Sequence, residues 1–76
     1  MTLDRVPIGT SARVLVVEGS GRLALRLMEM GMVPGALIRV VKDAPLGDPL
    51  HICVRDYHLA LRRAEAETVT VQLTAP

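Results

Sequence analysis

Residues Leu50 to Leu61 read LHICVRDYHLAL, and their alternation decides the fold. Leu50, Ile52 and Val54 alternate with His51, Cys53 and Arg55; beyond Asp56 and Tyr57, Leu59 and Leu61 alternate with His58, Ala60 and Arg62. A period of two, apolar on one side and polar on the other, is that of a half-buried strand. With Asp56-Tyr57 as a two-residue loop, Arg55 faces His58, Val54 faces Leu59 and Ile52 faces Leu61. Every apolar residue then meets another across the ladder, which fixes which face is core.

Upstream, Ala12 to Glu18 (ARVLVVE) is β-branched-rich and uninterrupted, as in a short buried strand. Gly19-Ser20-Gly21 ends it, with Ser20 placed to cap a helix. Leu23, Leu27 and Met30 then fall at i, i+4 and i+7 with Ala24 at their flank, and Gly31 stands at the left-handed stop, which predicts a helix over Ser20 to Met30. Pro34-Gly35 suits a type II turn before a strand at Ala36 to Lys42 (ALIRVVK), and APLGDP at 44–49 is a tight turn. Downstream, Arg63 to Glu67 (RAEAE) reads as a short polar turn and Thr68 to Leu73 (TVTVQL) as a last strand.

The reading is a mainly β single domain over residues 1–76: a small barrel of about five strands, with one short helix after the first strand. Curling into a barrel follows because a flat sheet of this size leaves one face and two edges bare. Its predicted core is Leu15, Val17, Leu23, Leu27, Ile38, Val40, Ile52, Val54, Leu59, Leu61 and Val71.

Composition excludes several functions. The chain has 76 residues, half of them apolar, with a net charge of +1 and one aromatic ring of the Phe, Trp and Tyr class, Tyr57. Disorder needs lower hydrophobicity. A nucleic-acid partner is not expected, because pI 8.0 brings no basic stripe and there is no aromatic platform for bases. Asp4 and Arg5 interrupt the N-terminus where a signal peptide would be apolar, and the uncharged stretch MGMVPGALI is broken by Pro34-Gly35, so no membrane insertion is expected. The lone Cys53 fits a reducing compartment, and the expected location is the cytoplasm. No GxxxxGK[ST] loop is present, and Ser11, Ser20 and Cys53 have no evident base and oxyanion pocket, so no enzyme and no catalytic residue are expected.

The helix, its turn into Pro34-Gly35, the P-L-G-D-P loop at 45–49 and the L-A-L-R run at 59–62 resemble, in order and spacing, the ferrous iron transport protein A (FeoA) family from Leu3 to Leu73. Met30-Gly31-Met32 and Asp56 depart from the usual residues. The resemblance implies an SH3-like barrel in the bacterial cytosol. It further implies an accessory of the ferrous-iron permease, a GTP-binding membrane protein, that binds the permease's cytosolic part and requires no cofactor. The alternative is a metal-sensing regulatory domain related to the C-terminal domain of iron-dependent repressors.

Two sets of residues carry candidate sites. On the helical wheel Leu25 and Met28 lie away from the core stripe among Arg22, Arg26 and Glu29, and this face is the first expected partner contact; the loop, with Pro45, Leu46 and Asp48, is the second. The methionines themselves read as core filling rather than as ligands, since thioethers select Cu(I). His51, Cys53 and His58 are pushed to the outer face of the hairpin, where thiolate and imidazole suit zinc. The expectation is weak surface zinc binding, able to bridge two copies of the chain into a dimer, with no dedicated iron site.

Overall fold

The computed structural model describes all residues except Ser20, Ala75 and Pro76. Five antiparallel strands, β1 (Ser11–Val17), β2 (Leu37–Asp43), β3 (Leu50–Val54), β4 (Tyr57–Leu61) and β5 (Val69–Leu73), form one sheet in the order β4-β3-β2-β1-β5. Helix α1 (Arg22–Glu29) follows β1, and the one-turn helix α2 (Arg63–Ala66) joins the edge strands β4 and β5. The inward side chains of all five strands meet Leu27, Met32 and Ala66 in one aliphatic core.

The β1 strand departs from the expected parity. Ala12 and Val14 are buried, whereas Leu15, expected in the core, is 48% exposed. The pairing with β5 shifts between Val14 (opposite Val71) and Val16 (opposite Thr70), so Leu15 is the extra residue of a bulge. The bulge resets the alternation and turns Val17 partly inward against the core. An uninterrupted run such as VLVV gives no internal clue to such a shift.

The β3–β4 hairpin keeps the expected parity with a different register. Val54 pairs with Tyr57, Cys53 with His58, Ile52 with Leu59 and Leu50 with Leu61. The loop is therefore Arg55-Asp56, with Arg55 in the left-handed region at φ 57°, and Arg55 does not face His58. A two-residue slip leaves every side chain on its own face. The observed register also gives the buried Leu50 an apolar partner, Leu61, where the expected one would have opposed it to Arg63.

Helix α1 is shorter than expected. Gly21 occupies the N-cap position at φ 102°, and Ser20, the expected cap, lies outside the described residues. The C-terminal end is as read: Gly31 at φ 99° donates its N–H to Met28 O at 3.0 Å and Met32 N–H reaches Leu27 O at 2.9 Å, a Schellman closure that delivers Met32 into the core. Leu27 is fully buried, and Leu23, Met30 and Leu59 pack partly buried around the core. At Pro34-Gly35 the turn closes by Ala36 N–H donating to Val33 O at 2.9 Å, with Gly35 at φ 91°.

Two elements escaped the sequence reading. RAEA is a helical turn rather than an open polar turn, because Glu65 at its third position accepts the Arg62 N–H at 3.0 Å and Ala66 is fully buried. The N-terminus pairs with β5 as well: Thr2 bridges Thr70, Val71 N–H donates to Met1 O at 2.8 Å, and Leu3 and Val6 enter the core.

Candidate functional site

Of the residues expected to meet a partner, Arg26 of the helix and Asp48 of the loop line one groove. Leu25 and Met28 project from α1, 58% and 48% exposed, with Arg22 exposed beside them. Arg26, one turn along, gives its guanidinium to the Glu65 carboxylate of α2. A shallow groove lies there, lined by Arg26, Asp48, Pro49, Ala60, Arg62 and Glu65. It joins the helix to the loop, two candidates that the sequence offered separately.

The loop is built around Arg63, which the sequence reading did not single out. Ala44 to Gly47 make a β-turn closed by Gly47 N–H donating to Ala44 O at 2.8 Å, with Leu46 at its third position. Arg63 donates its backbone N–H to Asp48 Oδ1 at 3.0 Å, its Nε to Gly47 O, and its Nη1 to Asp4 O at 2.8 Å; Nη2 lies 3.7 Å from Asp43 Oδ2. One planar guanidinium thus ties the loop to the N-terminal turn and to α2. No local pattern reveals this, because every partner is remote in sequence. At the tip Leu46 sits at φ 71°, ψ 8°, wholly exposed, while Pro45 and Asp48 are exposed at its sides.

The outer face of the sheet carries the expected metal ligands in a looser arrangement. Cys53 stands directly opposite His58, and His51 opposite Ala60. The strand on the other side puts Arg39 against Cys53 and Lys42 against His51. The Cys53 thiol donates to Arg55 O at 3.1 Å. Among the described residues no three His, Cys, Asp or Glu side chains group closely enough to hold an ion. The pair Cys53–His58 is brought together, and His51 is left beside it.

The sequence model of the FeoA domain family matches residues 1–73. The chain belongs to the FeoA domain family. A Porphyromonas gingivalis (strain ATCC BAA-308 / W83) protein described as an Fe(2+) transport protein A/Fe(2+) transporter FeoB fusion protein is 41% identical over 73 residues, covering 96% of this chain and 9% of that relative. This FeoA domain therefore spans about a tenth of the curated relative it matches. The solution structure of the FeoA protein from Chlorobium tepidum is 39% identical with a TM-score of 0.92, covering 99% of this chain and 71% of that one. The FeoA of Stenotrophomonas maltophilia, described as a prokaryotic SH3-domain protein complexed with zinc, is 39% identical with a TM-score of 0.85, covering 95% and 89%. The SH3-like fold expected from the sequence is thus the fold of the family. A more distant likeness, T. acidophilum IdeR at 15% identity and a TM-score of 0.84 over 97% of this chain and 34% of that one, concerns the fold alone. No helix among the described residues is long and apolar enough to cross a membrane.

Proposed function

We propose that this FeoA domain is a cytoplasmic accessory of bacterial ferrous-iron uptake that works by binding the cytosolic GTP-binding part of the ferrous-iron permease. The supporting observation is the fusion relative, in which an FeoA region 41% identical to this chain shares a polypeptide with the FeoB transporter. Fusion holds two modules at high effective concentration, an arrangement that serves modules that bind each other. Arg22, Leu25, Arg26 and Met28 of α1 and Pro45, Leu46 and Asp48 of the loop form the contact, with Leu25, Met28 and Leu46 supplying its exposed apolar groups. The domain performs no chemistry of its own and requires no cofactor. Co-purification of the tagged chain with the permease from the same organism tests the reading: recovery of the permease is expected, and its loss on Leu25→Glu or Met28→Glu in a folded variant locates the contact on α1.

The Cys53–His58 pairing favours a secondary reading, weak surface zinc binding. Cys53 and His58 supply two donors, with His51 at their side, and a second copy completes four by the same pair across a two-fold axis. Arg39 and Lys42, opposite Cys53 and His51, place positive charge against the ion and keep the affinity low.

A further inference from the structure

Resting on the reading that the domain binds the permease's cytosolic part, we propose that Leu46 is the apolar anchor of that contact and that Arg63 is the positioning residue that holds it out. Leu46 differs from the other exposed aliphatic residues. Leu25, the next most exposed leucine, still covers about two-fifths of its surface, whereas Leu46 at 104% touches nothing in its own chain. Its backbone lies in the left-handed region, at φ 71°, where a β-carbon is disfavoured and Gly or Asn sits more easily. A residue that packs against nothing and strains its own backbone contributes nothing to folding; such strain is found where binding or switching needs it.

Arg63 makes that conformation rigid. It grips the chain on both sides of Leu46, reaching Asp43 before it and Gly47 and Asp48 after it, and anchors the grip to Asp4 O. The Ala44 N–H donating to Pro49 O at 3.0 Å closes the base of the loop. A β-carbon on Gly47 would lie 3.4 Å from Arg63 Nε, so the guanidinium packs directly on the backbone next to Leu46. An apolar side chain fixed before binding loses little freedom on docking, the property of an anchor that fills a pocket. The partner chemistry is a small apolar pocket on a protein surface. Asp43 and Asp48 offset the Arg63 guanidinium beside the anchor, so the loop offers no excess positive charge to draw an anionic bilayer.

The test is calorimetric titration of the full chain into the purified cytosolic part of the permease, with thermal unfolding of each variant alongside. Leu46→Asn keeps the left-handed preference and removes the apolar group; it should weaken binding at least about tenfold, the scale of an interface anchor. Its Tm should be unchanged or higher. Leu46→Met should bind within about threefold of wild type, as expected of a volume-conserving swap. Arg63→Lys should also weaken binding, yet change it by less than about twofold in a Leu46→Asn background, because a residue that acts through another shows no separate effect once that one is gone. Full-strength binding by Leu46→Asn overturns the anchor, and an undiminished Arg63→Lys effect in that background overturns the positioning role. Leu46-dependent capture by anionic vesicles instead of the protein also overturns it. No binding by the wild-type chain removes the parent reading and this one together, whereas wild-type binding indifferent to Leu46 removes this one alone.

Discussion

Glu65 is shared between two helices: one carboxylate oxygen accepts the Arg62 N–H at the start of α2 and the other meets the guanidinium of Arg26 on α1. The first contact caps a helix of four residues, too short to persist on its own backbone bonds. The second is half exposed on the arginine side, so screening by water leaves it small. Glu65→Gln, which keeps the cap and drops the charge, is expected to lower unfolding stability by about 0.5 kcal/mol or less. Glu65→Ala should lower it by about 1 kcal/mol, the usual size of a lost N-terminal cap. Urea denaturation of the two variants separates cap from ion pair.

The bulge at Leu15 makes a contrast within one dipeptide. Val14 is buried opposite Val71 and Leu15 is half exposed. Val14→Ala should destabilise by about 1.5–3 kcal/mol and Leu15→Ala by under about 0.5 kcal/mol. The reverse order in chemical denaturation would restore the strand parity read from the sequence alone.

Gly31 ends α1 at φ 99°, and a β-carbon there would stand 3.2 Å from Val54 Cγ1 in the core. Gly31→Ala is therefore expected to destabilise by more than about 1 kcal/mol, against the usual small gain from Gly→Ala at a permissive site. Met32, which the Schellman turn delivers into the core, should then show increased solvent accessibility by oxidation footprinting.

What the sequence carried and what it left out follow the range of the interactions. Alternation at 50–54 and 57–61, the stripe Leu23-Leu27-Met30 and the stop at Gly31 are local and periodic, and the structure has all three. The exact loop of the hairpin was not legible, because a two-residue slip keeps each residue on its face and only the partnering of Leu50 separates the registers. The bulge at Leu15 and the N-terminal pairing with β5 depend on strands dozens of residues away. For the site, the outward pair Leu25 and Met28 was readable from the wheel. Arg63 was one arginine among eight, and only the fold collects its four acceptors around it.

The hairpin register gives zinc two facing donors rather than three. Titration by calorimetry should show weak binding, with a stoichiometry near one ion per two chains and a rise in sedimentation coefficient as the ion bridges copies. Cys53→Ser should abolish it, His58→Ala should weaken it at least about tenfold, and His51→Ala should matter less, the scale expected for losing a direct ligand against a neighbouring group. Because thiol and imidazole must release protons to ligate, binding should weaken as pH falls. Tight one-to-one ferrous binding would contradict the arrangement.

The central claim is that the outward face of α1 and the loop tip bind the permease's cytosolic part, and direct calorimetric titration of the wild-type chain and a folded Leu25→Glu/Met28→Glu variant into that part tests it most directly. The account predicts saturable one-to-one binding by the wild type and, for the variant, loss of at least about tenfold in affinity, as for charges introduced into the centre of an interface. Absence of wild-type binding, or equal binding by the variant, would contradict it.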